Sequence, residues 1–349
     1  MSATTPRLDI VRPALPAWGP WAPPAAALAL AAALAVATDV AAGVLLVAAV
    51  VVSAAVVFAW SRAVEGRRRA IDRLVTVLVS SAFALAVIPL VSLLWTVVAK
   101  GSERFDWAFF SETGRNVVGE GGGAWHAIVG TLVITGLATV ASVPIGILAA
   151  VYLHEYGQGR LKRWLTFLVD VMTGIPSIVA GLFAFALFAI LFGPGVRMGV
   201  MGAVALSVLM IPIVVRSTEE MLKIVPDGLR EAAYALGVPK WRTIVSVVLP
   251  TALAGIVTGV MVAVARVIGE TAPLLITTGT ISSLNANPFS GRMEPLPVYA
   301  YRQYKHPGVP PEPYLARAWA AALTLIAIVM ALNLVARLVY RRFGTEVRG

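Results

Sequence analysis

Apolar residues occur in this chain as long runs, and polar residues gather in the segments between them. An alanine-rich stretch over 25–60 is divided by the polar pair Thr38 and Asp39, which favours a helical hairpin made of a short first helix and a full second one. A spanning helix needs roughly 20 apolar residues, and six further runs meet this requirement: about 74–98, 126–152, 164–192, 199–215, 244–268 and 316–338. The pattern therefore predicts an all-α polytopic membrane protein with eight spans.

The first apolar run also allows a second interpretation. Arg7 and Arg12 precede it, as basic residues precede the apolar part of a secretory signal. Such a leader would be unusually long, so the hairpin is favoured. Six spans would remain if residues 25–60 were removed.

The composition agrees with a chain that is mostly solvated by lipid. Charged residues make up 13%, against about 25% in soluble domains, and the mean hydropathy is +0.85. The absence of cysteine excludes a disulfide framework and any thiolate metal site. A net charge of +10 would suggest nucleic acid in a soluble protein. No nucleic-acid partner is predicted here, because lysine and arginine accumulate on the cytoplasmic flanks of membrane helices.

The positions of the basic residues predict the orientation. Clusters occur over 62–73, 160–163 and 337–342. Placing them in the cytoplasm puts the loop 216–242 there as well, so that nineteen of the 28 basic residues lie on that side. The resulting topology has both termini in the cytoplasm.

The sequence carries no nucleotide-binding motif, metal-ligand cluster or nucleophile triad. Its histidines, His126, His154 and His306, are too dispersed to suggest a metal site. We therefore expect a transport subunit rather than an enzyme. Energy for uphill movement would come from another subunit or from an ion gradient.

Residues 231–250, EAAYALGVPKWRTIVSVVLP, form a polar island between two apolar runs. Asp227 is placed to cap a helix over 228–236, and Gly237 to end it in the left-handed conformation. Pro239 follows, where a helix must stop or restart. An interfacial amphipathic helix is the competing interpretation, but such helices usually carry lysine-rich polar faces. So well specified a helix on a loop is typical of a docking site for a partner.

A second group of polar residues lies at the end of the next apolar run. Arg266 and Glu270 are four residues apart, which predicts one helix face and an ion pair. An arginine at membrane depth costs about 2.5–3.5 kcal/mol to insert and usually faces a bundle interior or a water-filled path. Gly269 and Pro273 flank the pair and allow the helix to loosen there. The competing interpretation is an arginine that only extends to the interface.

Two further membrane charges have less specific interpretations. Arg216 ends an apolar run just before 217–220, whose sequence STEE has the spacing of a capping box. It is a candidate for the transport path or a positive-inside anchor. Asp170 could pair with a basic residue, line the path or lie at the interface.

The polar island matches the pattern E-A-A-x3-G-x9-I-x-L-P of ATP-binding-cassette importer permeases, with Val247 in place of the isoleucine. The matching residues are Glu231, Ala232, Ala233, Gly237, Leu249 and Pro250. Further similar segments are PIGILAAVYLHEYG (144–157), GIPSIVAGLFAF (174–185), IPIVVRSTEEML (211–222), RVIGETAPLL (266–275) and LPVYAY (296–301). Together they resemble the PstA family, the permease subunits of bacterial phosphate-specific importers, over roughly residues 70–345.

The resemblance implies the type I importer fold for residues 71–345, with six core helices, and leaves 1–70 as an extension with one or two transmembrane helices. It implies a coupling helix in the cytoplasmic loop 217–243, where the ATPase would meet Glu231, Ala232, Ala233 and Gly237. The implied partners are a PstC-type permease subunit, a PstB-type ATPase dimer and a PstS-type phosphate-binding protein. ATP and Mg would belong to the ATPase, so no cofactor is expected in this chain. The implied location is the bacterial inner membrane.

The resemblance also implies inorganic phosphate as the substrate. Guanidinium groups match phosphate oxygens, so Arg216 and Arg266 are predicted to line the path, with Glu270 holding Arg266 in the unloaded state. A permease for another oxyanion and a phosphate-sensing scaffold remain open alternatives. An ion-driven secondary transporter is disfavoured, because the sequence shows no repeated halves with broken helices.

Overall fold

The computed structural model describes residues 15–38 and 40–343, without the side chains of residues 42 and 339–343. Helices are the only regular elements in these ranges. The α-helices are α1 (Ala22–Ala37), α2 (Ala42–Val64), α3 (Arg67–Gly101), α4 (Trp107–Ser111), α5 (Trp125–Val151), α6 (Gly159–Gly174), α7 (Ser177–Phe192), α8 (Gly199–Ile224), α9 (Asp227–Ala235), α10 (Lys240–Thr243), α11 (Leu249–Ile268), α12 (Ala272–Thr277), α13 (Leu296–Lys305) and α14 (Glu312–Phe343). Single π-helical turns continue α5 over Tyr152–Tyr156 and precede α11 over Ile244–Val248.

Six helical segments in the described residues are long and apolar enough to cross a membrane. They are Gly43–Val64, Arg67–Arg104, Trp125–Tyr156, Gly199–Ile224, Lys240–Ile268 and Glu312–Leu338. Five of the six windows predicted from the apolar runs lie inside these segments, so the all-α multi-pass prediction is confirmed. The physical basis is that lipid offers no hydrogen bonds, and a helix satisfies its own backbone groups.

The predicted span 164–192 is not one continuous helix. The chain bends by 109° between α6 and α7, at Ile175, whose backbone is extended with ψ 127°. The ring of Pro176 disfavours the helical conformation at the residue before it, which explains the break. Each half has 16 residues, or about 24 Å, less than the roughly 30 Å of a hydrocarbon core.

The predicted N-terminal hairpin is present, and its first helix is short, as expected. Helix α1 has 16 residues, packs against α2, and ends where Thr38 adopts an extended conformation; Asp39 lies outside the described residues. Because α1 is too short to cross a membrane, the described residues contain fewer than the eight spans expected. Six helices qualify, or seven if α6 and α7 are counted as one broken span.

The chain divides into two compact units, residues up to Trp95 and residues from Thr96 onward, with the division inside α3. In the first unit, the buried carboxylate of Glu65 accepts hydrogen bonds from the Leu15 backbone N–H at 2.9 Å, from Ser61 at 2.8 Å, and twice from Arg73. The hydrogen bonds from Arg73 hold the pKa of Glu65 at about 2, well below its ordinary value. The domain boundary expected near residue 70 stays a prediction.

The core of the second unit lies where α5, α8, α11 and α12 meet. Its fully buried members include Ile134, Leu206 and Met210. Helices α8 and α11 pack closely at Gly259, where a Cβ atom would come within 2.5 Å of the Ser217 hydroxyl oxygen. This antiparallel contact sets which residues of the two helices lie at the same level.

Candidate functional site

Helix α9 lies on the loop that connects α8 to α10 and α11. It begins directly after Pro226, whose backbone is extended, so Asp227 is the first helical residue and not the cap. The capping role expected of Asp227 is therefore wrong. Its carboxylate instead accepts a hydrogen bond from Arg230 at 3.0 Å, one turn further along the helix.

The end of α9 is the one predicted from the sequence. Gly237 has a positive φ of 74°, a conformation that is unfavourable for most residues other than glycine and asparagine. The Gly237 N–H donates to the Tyr234 carbonyl at 2.9 Å, and the Val238 N–H donates to the Ala233 carbonyl at 3.1 Å. These two bonds form a Schellman motif, which confirms the prediction that Gly237 ends the helix in the left-handed conformation.

Arg230 attaches α9 to the rest of the unit. Its side chain is buried and donates to Glu155 at 2.9 Å and to Asp227 at 3.0 Å. It also donates to the carbonyl oxygens of Leu222 at 3.1 Å and Val225 at 2.8 Å. Because Glu155 lies at the end of α5 and Leu222 in α8, one guanidinium joins three helical segments. From the sequence, Arg230 was interpreted only as one of the basic residues of the cytoplasmic loop, and no local pattern indicates that it joins these segments.

We expect Arg230→Met to loosen α9 while the spanning helices stay folded. Removing one member of a buried ion pair leaves the other uncompensated, which costs about 3 kcal/mol or more. Amide hydrogen exchange over residues 227–236 of the purified protein should accelerate about 100-fold. The matched control is Arg242→Met, because Arg242 is exposed and forms no ion pair with another described residue. Equal exchange in the two variants would contradict the attachment role of Arg230.

The predicted coupling residues do not all face outward. Glu231 and Ala232 are exposed, and Glu231 forms no ion pair among the described residues. Ala233 is buried, so its methyl group is not available for a partner. The sequence-based prediction treated Ala232 and Ala233 alike because both are small. Successive residues lie 100° apart around a helix, so the two side chains face different directions.

An apolar surface that the sequence missed surrounds these residues. Leu236 is 84% exposed and Trp241 62% exposed, and both Leu229 and Tyr234 are exposed as well. Large apolar side chains exposed together on a polar loop indicate a site of protein contact. We call Leu229, Tyr234, Leu236 and Trp241, with Glu231, the coupling surface.

Arg216 is paired within the chain. It donates to Glu219 at 2.9 Å and to the carboxylate of Asp170 in α6. The helix start suggested by the STEE sequence after Arg216 is wrong, because α8 continues to Ile224 and the Ser217 hydroxyl donates to the Val214 carbonyl. Of the three roles left open for Asp170, the structure shows pairing with a basic residue.

Arg266 and Glu270 do not form the predicted ion pair. Helix α11 ends at Ile268, with Gly269 as its cap, so the four-residue spacing no longer places both side chains on one helical face. Arg266 is exposed, and it has no hydrogen-bonding or ionic partner among the described residues. The loosening expected at Gly269 is confirmed, and it is the reason that the pair fails.

The structure does not bring the two arginines together. Ser217, the residue after Arg216, lies at the level of Gly259 in α11. Arg266 is seven residues further along α11, which corresponds to about 10 Å along the helix axis.

The chain has recognisable relatives. A family model described as "Binding-protein-dependent transport system inner membrane component" matches residues 142–349. "Phosphate transport system permease protein PstA 1" of Mycobacterium tuberculosis (strain ATCC 25618 / H37Rv) is 47% identical over 278 residues, covering 78% of this chain and 88% of that protein. The chain belongs to the PstA family. A PstA protein of Yersinia pestis is 37% identical over 289 residues, covering 80% of this chain and 94% of the relative.

Solved structures agree with the fold of this PstA-family chain. A bacterial alginate ABC transporter in complex with an alginate pentasaccharide-bound periplasmic protein contains a chain that is 14% identical, with a TM-score of 0.50. The match covers 76% of this chain and 97% of the other. At this identity the likeness concerns the fold alone, and the fold is that of an ABC importer permease.

Proposed function

We propose that this chain is the permease subunit of a phosphate importer driven by a separate ATPase. The observation that carries the proposal is the coupling surface, formed by exposed apolar side chains of α9, of its C-cap Leu236 and of Trp241 in α10. The identity of 47% to a phosphate transport permease supports phosphate as the substrate. The polar side chains found in the spans, above all Arg216 and Arg266, suit an anion.

The coupling surface would lie in a groove of a PstB-type ATPase dimer. Glu231 offers a charge to a basic residue of that partner, and Leu236 and Trp241 supply apolar contact area. ATP and Mg would be bound by the ATPase, so the chain itself needs no cofactor. Closure of the dimer would move α9, and the Arg230 contacts would transmit the movement to α5 and α8.

The remaining partners follow from the same proposal. A PstC-type subunit would supply the other half of the path, and a PstS-type binding protein would deliver phosphate to the outer face. The proposed location is a bacterial inner membrane, with α9 and both termini on its cytoplasmic side, because lysine and arginine accumulate on that side.

Within the path, the two arginines would play different parts. Asp170 and Glu219 would hold Arg216 in the unloaded state. From the sequence, we had expected Glu270 to hold Arg266 in the same way. Phosphate would displace the carboxylates of Asp170 and Glu219, and their return would favour release. Arg266, which has no such partner among the described residues, would meet phosphate first.

Reconstitution of the complex with its permease, ATPase and binding-protein partners in liposomes tests the proposal. We expect ATP-dependent accumulation of radiolabelled phosphate that requires the binding protein. A parallel assay with radiolabelled sulfate distinguishes phosphate from other oxyanions. Uptake of sulfate in place of phosphate would refute the substrate assignment. Uptake that persists without ATP or the ATPase would refute the energy source.

A further inference from the structure

A small polar cavity of about 50 Å³ lies in the second unit, where α5 and α14 begin and thus far from α9. Its walls come from the loop before α5, from α13 and from the first turns of α14. The residues that matter for its chemistry are Tyr299, Arg302, Gln303 and Arg317. None of them belongs to the coupling surface or to the candidate path.

The cavity carries a buried positive charge. Arg317 is 4% exposed and donates to the carbonyl oxygens of Gly119 and Gly121, both at 2.8 Å. It forms no ion pair with another described residue. The other guanidinium, that of Arg302, is neutralised by the buried carboxylate of Glu294 at 2.8 and 2.9 Å. The ring of Tyr314 lies 4.6 Å from the Arg317 guanidinium and offsets part of its charge. No carboxylate among the described residues neutralises the rest, so the site favours an anion.

Two polar groups in the cavity wall lack a well-formed hydrogen bond. The Tyr299 hydroxyl and the Gln303 side-chain oxygen are buried, and neither forms a hydrogen bond of normal geometry with a described residue, although the two lie close enough to each other for a weak interaction. Burial raises the pKa of Tyr299 to about 12, so the hydroxyl keeps its proton and remains a donor at neutral pH. Rotation of the Gln303 side-chain amide group by 180° points its NH₂ group, instead of its oxygen, into the cavity.

We propose that this cavity is a binding site for one small inorganic anion. The anion accepts hydrogen bonds from the Arg317 guanidinium, the Tyr299 hydroxyl and the Gln303 amide. The Tyr299 and Gln303 groups then have well-formed hydrogen bonds, and the rest of the Arg317 charge is neutralised. Because these residues join the loop over 112–124 to α13 and α14, the bound anion stabilises that end of the molecule.

The chemistry fits either chloride or inorganic phosphate, and thermal unfolding of the purified complex distinguishes them. At constant ionic strength, gluconate is replaced by chloride or by phosphate in separate series. We expect the unfolding temperature of the wild type to rise with one of these anions. Tyr299→Phe removes only the hydroxyl and should raise the half-saturating concentration about tenfold, the effect of losing one hydrogen bond to a charged group.

Tyr304→Phe is the matched control, because Tyr304 lies in the same helix and is 52% exposed. It should leave the anion dependence unchanged. The proposal is overturned if Tyr299→Phe has the wild-type dependence, or if neither anion affects the wild type. A crystal structure in bromide or in phosphate supplies the direct readout: an anion between Arg317 and Tyr299 supports the site, and water alone refutes it.

Discussion

Gly237→Val is expected to abolish the transport-stimulated ATPase activity of the complex. Gly237 ends α9 at a positive φ of 74°, where a β-branched side chain costs about 1–2 kcal/mol or more. The Schellman bonds would break, and Leu236 and Trp241 on either side would change direction. Because both side chains belong to the coupling surface, the ATPase would lose its contact. The measurement is ATP hydrolysis by the purified complex, with binding protein and phosphate, and we expect stimulation to fall at least tenfold.

Gly237→Asn is the matched control for this experiment. Asparagine adopts the left-handed conformation far more readily than a β-branched residue, so most of the stimulation should remain. Copurification of the ATPase shows whether the valine variant fails to bind it or binds without coupling. Stimulated hydrolysis at the wild-type rate in Gly237→Val would show that the end of α9 is not needed for coupling.

Arg266→Lys is expected to remove most phosphate uptake while the complex still assembles. Lysine keeps the positive charge but lacks the planar fork that binds two phosphate oxygens at once. Loss of a charge-assisted hydrogen bond of about 1.5–3 kcal/mol corresponds to roughly a tenfold to hundredfold slower rate. Initial rates of radiolabelled phosphate uptake into liposomes give the effect, and size-exclusion chromatography establishes assembly.

Arg62→Lys is the control for the arginine variant. Arg62 is exposed at the end of α2 in the first unit, and no transport role is proposed for it. Its replacement should leave uptake unchanged. An Arg266→Lys complex that transports phosphate as fast as the wild type would exclude Arg266 from substrate binding.

The spanning helices could be predicted from the sequence because their signal is local. A run of apolar residues such as 199–215 requires a lipid-solvated helix wherever it lies. The prediction failed at 164–192, where hydropathy alone does not register a backbone bend. The proline rule at Ile175 and Pro176 could have found that break, since it too depends only on neighbouring residues.

The candidate site divides in the same way. The end of α9 at Gly237 was predictable because the Schellman motif depends on a single residue type at one position. The ion pair of Arg266 with Glu270 was not, because it assumed a helix that the structure ends at Ile268. Arg216 and Asp170 are 46 residues apart, and no local pattern indicates that two such residues meet.

The membrane class, most of the spans and the short helix on the loop after α8 could be read from the sequence alone, since apolar runs, basic flanks and turn residues act over a few neighbouring positions. Packing between distant segments set which charges are paired and which are available. That packing attached α9 through Arg230, turned Ala233 inward and left Arg266 without a partner among the residues that the structure describes. It also enclosed Arg317 and Tyr299 in one cavity. The physical reason is that burial and ion pairing depend on packing between distant segments, and no periodicity along the chain encodes that packing.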